Sequence, residues 1–146
     1  MQFCKISFAQ RFEAKIGEIN YLISETVSVK SYNNMTEQFE TKEKVNSSNP
    51  ILFNRTTILK SLYSDINYFV NGVPKKIKAF TLAINCDDHA MDITKTYNSN
   101  KIATNDTALI NKIIKANKVV VIYYDEILLE DDRYAPGFMF KIDKNQ

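Results

Sequence analysis

Residues 105–142 read NDTALINKIIKANKVVVIYYDEILLEDDRYAPGFMFKI, and this stretch decides the fold class. Leu109, Ile110, Ile113 and Ile114 recur at helical spacing, which leaves Lys112 and Lys115 on the opposite face. Thr104 or Asn105 supplies an N-cap. Asp106 in the first turn and the lysines near the last turn complement the helix dipole. Asn117 suits a left-handed stop. A helix is therefore expected over 105–116. A strand follows over Lys118–Tyr124. Its Val119–Tyr124 portion carries no polar group except the tyrosine hydroxyls, which predicts burial on both faces. Asp125 to Asp132 then reads as an acidic loop. Phe138, Phe140 and Ile142 alternate with Met139 and Lys141 in a closing strand.

Working outward, the first 45 residues alternate with period two. Phe12, Ala14 and Ile16 oppose Arg11, Glu13 and Lys15, and Ile19, Tyr21 and Ile23 repeat the pattern beyond Gly17-Glu18. That arrangement predicts a hairpin turning at Gly17-Glu18. Val27 and Val29 carry the second strand toward Asn33-Asn34, a second turn signal. Glu37–Val45 reads as a weaker, polar strand at a sheet edge, where its Lys and Glu side chains discourage edge-to-edge pairing. Asn46-Ser47-Ser48-Asn49-Pro50 is a surface loop.

Residues 55–70 carry two signals. Ile58, Leu59, Leu62, Ile66 and Phe69 fall at helical spacing behind an Asn54 cap, whereas Thr56, Thr57, Tyr63, Tyr68 and Val70 suit strands. The spacing and the cap favour a helix, ended by Asn71-Gly72 and Pro74. Lys76–Cys86 alternates with both faces largely apolar, as a central strand would. Asp87-Asp88-His89 turns the chain into a return strand carrying Met91, Ile93 and Tyr97.

The expected fold is α+β: a mostly antiparallel sheet with two helices, at about 55–70 and 105–116. At 146 residues, with 45% hydrophobic and 25% charged residues, the chain fits a single domain over 1–146 with a sizeable core. From Lys76 onward the order is strand, strand, helix, strand, strand. In that order alone, with no motif behind it, the C-terminal half resembles an OB-fold, and the resemblance implies binding of single-stranded nucleic acid or oligosaccharide.

Candidate chemistry is sparse. His89 with Asp87, Asp88 and Asp92 forms the densest cluster of metal-ligand types, but Asp-Asp is common turn chemistry and no second histidine completes a set. Cys4 and Cys86 lie among apolar neighbours as inert reduced thiols. Glu13-Ala14-Lys15 matches half of a metal-dependent nuclease pattern. Alternation already explains it, and no Asp precedes Asp65. Gly17, Gly72 and Gly137 stand alone, so no Gly-rich dinucleotide or phosphate loop can form, which excludes the classical nucleotide-dependent enzymes. No cofactor, metal or catalytic residue is assigned.

Two charge clusters remain. Lys75, Lys76 and Lys78, near Tyr63, Tyr68 and Phe80, could follow a nucleic-acid backbone, although a net charge of +2 is weak for that role. Asp125, Glu126, Glu130, Asp131 and Asp132 frame Ile127, Leu128 and Leu129, as the acidic rim of an interface frames an apolar centre. No apolar run reaches the roughly 18 residues of a membrane helix, and Met1–Ala9 lacks a signal-peptide core, so a cytoplasmic protein is expected. The sequence favours a small non-enzymatic protein-binding module of the inhibitor, immunity or assembly type. It would bind another protein through Asp125–Asp132. The alternative is the OB-like domain.

Overall fold

A computed structural model describes residues 4–46 and 54–143, with the side chains of residues 4–9 and 29 outside the description. The loop expected at residues 47–50 therefore lies outside the described residues. The α+β class is as expected: the chain is mostly antiparallel strand with two helices.

The N-terminal alternation becomes a long hairpin of β1 (Cys4–Ile16) and β2 (Ile19–Asn33), closed by Gly17-Glu18. Gly17 sits at φ +56, and a Cβ there would lie 2.8 Å from Ser61, so both backbone and space require glycine. Ser61 is buried, and its hydroxyl accepts from the Glu18 backbone N–H. The second turn follows Asn33, whose side-chain oxygen accepts from the N–H of Met35. It leads into β3 (Gln38–Asn46), an edge strand exposed along its whole length.

Residues 55–70 divide. α1 covers only Arg55–Ser61, capped by Asn54, whose side chain accepts from Thr57 N–H. Ile66–Val70 is strand β4, paired with Ile16–Phe12 of β1. The helical spacing beyond Ser61 is overridden because β1 offers a ladder that Ile66, Tyr68 and Val70 fit as strand formers. Asn71-Gly72, both at positive φ, turn β4 into the short β5 (Val73–Lys75). The first sheet runs β3-β2-β1-β4-β5.

The second sheet is built from β6 (Ile77–Cys86), β7 (Ile93–Tyr97), β8 (Val119–Leu129), β9 (Tyr134–Ala135) and β10 (Phe138–Asp143). Its order is β10-β8-β6-β7, with β9 on the far half of β8. Every pairing in both sheets is antiparallel. Val119–Tyr124 is not buried on both faces: Val120, Ile122 and Tyr124 enter the core, while Val119, Val121 and Tyr123 are half-buried on the outer face.

One cluster of buried side chains joins the sheets and helices. It includes Ala14, Ile16, Tyr21, Tyr68, Leu82, Ile84, Ile122, Tyr124 and Phe140, with Ile58 before α1 ends and Ile110, Ile113 and Ile114 from α2 (Thr107–Ala116). Rings tie the two sheets: Tyr21 lies 5.6 Å from both Phe138 and Phe140. Tyr124 stacks on Phe138 at 4.5 Å. Gly137 makes that stack possible, since a Cβ there would meet the Tyr124 carbonyl oxygen at 2.3 Å. Among the described residues no helix is long and apolar enough to cross a membrane.

Both ends of α2 differ from the expectation. A 3-10 turn, Thr104–Asp106, precedes the helix, and Asp106 makes no side-chain cap. Its carboxylate instead accepts from Lys95 Nζ at 2.6 Å and the Tyr97 hydroxyl at 2.7 Å. At the other end Asn117 is extended (φ −114), not left-handed. The last carbonyls are met by the Arg55 guanidinium, which donates to Ile114 O and to Asn117 O. That contact frees Asn117 to turn inward, where its buried amide donates to Ile113 O and its side-chain oxygen accepts from Asp88 N–H.

Two predictions follow from these contacts. The Tyr124 hydroxyl is buried without a hydrogen-bond partner, a state that costs about 1–3 kcal/mol. Tyr124→Phe should keep or raise the urea-unfolding free energy, while Tyr97→Phe, which strips a donor from Asp106, should lower it. Secondly, the Lys95 and Tyr97 hydrogen bonds hold the Asp106 carboxyl below its ordinary value. The unfolded chain then takes up the proton first. The stabilisation is present above about pH 4 and is lost as pH falls through the depressed folded value. Asp106→Asn should remove that part of the acid limb from a stability–pH profile, and an unchanged limb would refute the assignment.

Candidate interaction surface

Asp125–Asp132 is not a loop. β8 runs through to Leu129, and only residues 130–133 turn. The ladder explains the difference. Thr81 pairs with Asp125 but Ala79 pairs with Leu128, so β8 bulges at Glu126-Ile127. Glu126 takes φ +47 there. The bulge shifts the alternation by one residue. Asp125 and Glu126 both face solvent, and Ile127 returns to the core at 1% exposure. Leu129 is buried and Leu128 half-buried. The apolar centre expected of an interface is thus largely core. The five acidic residues remain exposed, and each is engaged: Asp125 accepts from the Glu126 backbone N–H at 2.8 Å. Glu126 accepts from the Thr81 hydroxyl, Asp131 pairs with Arg133, Asp132 with Lys78 at 2.9 Å, and Glu130 with Lys76 at 3.4 Å.

Two members of the basic cluster, Lys76 and Lys78, therefore meet two of the acids, Glu130 and Asp132, at the end of the β6–β8 ladder. Of the rings that would stack on bases, Tyr68 and Phe80 are buried. Tyr63 gives its hydroxyl to Asn111, and burial raises its pKa to about 12.

The His89 cluster divides its ligands among backbone tasks. Asp92 accepts from Cys86 N–H, Asp88 from Ala90 N–H and Asp87 from Val119 N–H. His89 projects outward, 3.3 Å from Asp92. Among the described residues no three His, Cys, Asp or Glu side chains converge on a point that could hold a metal. The Cys86 thiol is free and buried. Burial, then the neighbouring aspartates, push it up to about 11, so it is protonated and unreactive near neutral pH. The Cys4 side chain lies outside the described residues. Glu13 pairs with Arg11 and Lys15 is exposed, so alternation accounts for both.

Two surface features were not singled out from the sequence. The first is an open groove of about 780 Å³ beside the β8 bulge, where Tyr123, Thr81, Ala83, Asp125, Glu126 and Met139 meet. The alternation of β6 and β8 placed these side chains on one face. The bulge that opens the groove depends on unequal pairing with β6, which no local signal announces.

The second is the β2–β3 hairpin. All nine residues of β3 are exposed, with Phe39 at 56% and Val45 at 71%, and Met35 at its turn stands at 95%. Phe39 and Val45 stand on the same face of this strand, which no other described strand pairs on its outer side. The Phe39 ring is held in place, 5.3 Å from Tyr32 and beneath Lys30 Nζ at 5.1 Å. The polar edge strand was legible in the sequence. Its apolar residues, Phe39 and Val45, carried the missed signal, since β3 directs neither of them into the core.

Compared with known protein families, curated proteins and solved structures, the chain gives no match.

Because Ile127 is core, Ile127→Ala should cost about 2–5 kcal/mol of folding stability. Chemical denaturation measures this, and a loss under about 1 kcal/mol would return Ile127 to the surface.

Proposed function

We propose that this protein is a binding module that engages another polypeptide along the β3 edge, by adding a strand to the first sheet. The observation that carries the reading is the free nine-residue edge, Gln38–Asn46, with Phe39 and Val45 exposed at its two ends. An unpaired edge presents a row of backbone N–H and C=O groups, which supply affinity. Alternate side chains on the added strand supply specificity. The rest of the architecture suits a scaffold. β3 is laddered to β2 and β2 to β1, so a strand docked on β3 would extend a hydrogen-bonded sheet rather than a loop. This reading keeps the protein-binding class and moves the contact from Asp125–Asp132 to the hairpin.

Site-specific photo-cross-linking tests it. A benzophenone side chain at Thr41, in the middle of β3, should give discrete protein adducts in an extract of expressing cells. The same group at exposed Asn98 should not. No adduct at Thr41, or the same adducts from both positions, would overturn the reading.

A further inference from the structure

The residues of β3 complement one another when the strand is laid against itself. In an antiparallel pair the two residues of each pair both direct their backbone groups toward the partner or both away. Along one strand those directions alternate, so a residue faces only partners whose numbers share its parity. A two-fold pairing of β3 with itself must therefore centre on a residue, and few centres are available. Centring on Glu43 sets Glu43 opposite itself and Lys42 opposite Lys44 twice over, and like charges directly opposite destabilise a ladder. Centring on Thr41 gives Glu40–Lys42 pairs but places Phe39 opposite Glu43 and leaves Val45 outside the ladder. Centring on Lys42 engages the whole strand. Gln38 then faces Asn46, Phe39 faces Val45, Glu40 faces Lys44 and Thr41 faces Glu43, each twice.

In that register both exposed apolar residues of β3 cover each other, and each Glu40 meets a Lys44. Among directly opposite residues the single repulsive pair is Lys42 against its own copy on the axis. The Tyr32 and Lys30 contacts already hold Phe39 in position, so little ordering remains for its ring.

We infer that β3 pairs with β3 of a second copy of this chain, antiparallel about a two-fold axis at Lys42, joining the two first sheets into one continuous sheet. This inference rests on the reading of β3 as the contact surface and names its partner. The interface is isologous: the same strand serves both sides and the contact closes on itself, so the product is a dimer rather than a fibre. Lys42 limits affinity, consistent with an edge guarded by charge against indiscriminate pairing.

Sedimentation equilibrium on the full chain, over about 1 to 500 µM, tests the register directly. The wild type should move from monomer to dimer within that range. Glu40→Lys and Lys44→Glu should each weaken the dimer by about 10-fold or more, because two attractive pairs become repulsive. The double variant Glu40→Lys/Lys44→Glu should recover to within about 3-fold of wild type, since the pairs are restored with reversed sign. Lys42→Thr should tighten the dimer. All three positions are exposed, and unchanged thermal unfolding of the monomer confirms that each variant folds. A wild type that stays monomeric throughout overturns the inference. Loss with Glu40→Lys but not with Lys44→Glu overturns it as well, by pointing to the Thr41-centred register. A monomer whose Thr41 cross-links identify a different protein refutes the second copy while leaving the edge reading standing. A monomer without Thr41 adducts refutes both.

Discussion

The packing of Tyr124 is the interaction on which the rest of the structure depends. Its ring lies 4.5 Å from Phe138, 5.8 Å from Phe80 and 5.6 Å from Phe140, so one side chain of β8 joins both neighbouring strands. Phe138 and Phe140 in turn reach Tyr21 of the first sheet. Aromatic rings bury large areas and gain from offset or tilted contact. Here they span the gap between two sheets that share no ladder. The arrangement leaves the Tyr124 hydroxyl unpaired and requires glycine at 137. Both features mark a site where ring packing outweighs a local penalty.

That same strand governs the charged surface. β8 has to pair with β6 along its length, with β10 over its first half and with β9 over its second. The bulge at Glu126-Ile127 accommodates this by shifting the alternation by one residue. Two carboxylates are turned out together and Ile127 and Leu129 are sent inward. Lys76, just before β6, and Lys78, near its start, lie where the acids of the 130–133 turn arrive, so the pairs Lys76–Glu130 and Lys78–Asp132 form at the rim. Exposed pairs of this kind add little to stability. Their consequence is that Lys76 and Lys78 meet Glu130 and Asp132 rather than standing as a separate basic patch.

With the lysines of that rim paired to acids, the edge of the first sheet, unpaired among the described residues, carries the functional reading. β3 has no buried residue, so its side chains meet only neighbours on the hairpin, such as Tyr32 beside Phe39. Its lysines and glutamates are a common defence of an exposed edge. A strand defended in this way can still be selective. Spacing opposite charges symmetrically about Lys42 rejects most alignments and admits one in which every residue is paired.

Sequence alone determined the elements whose signals are local. Period-two alternation placed β1, β2, β6 and β10, because one face of each meets the core. Gly17-Glu18 placed a hairpin turn because Gly17 needs a positive φ, and the apolar stripe of α2 located that helix to within two residues. Asn71-Gly72 was legible as a turn, though what it joins was not. Tertiary structure decided the features that depend on distant partners. Residues 66–70 became a strand because β1 offered a ladder. The end of α2 was completed by Arg55, remote in sequence, which left Asn117 extended and buried. The acidic segment became strand because β6 pairs it with a two-for-one bulge. The candidate surface followed the same division. The polar edge was written in the residues of β3. Its place at the edge among the described strands, and the burial of the rival apolar centre at Ile127 and Leu129, arose only in the tertiary structure.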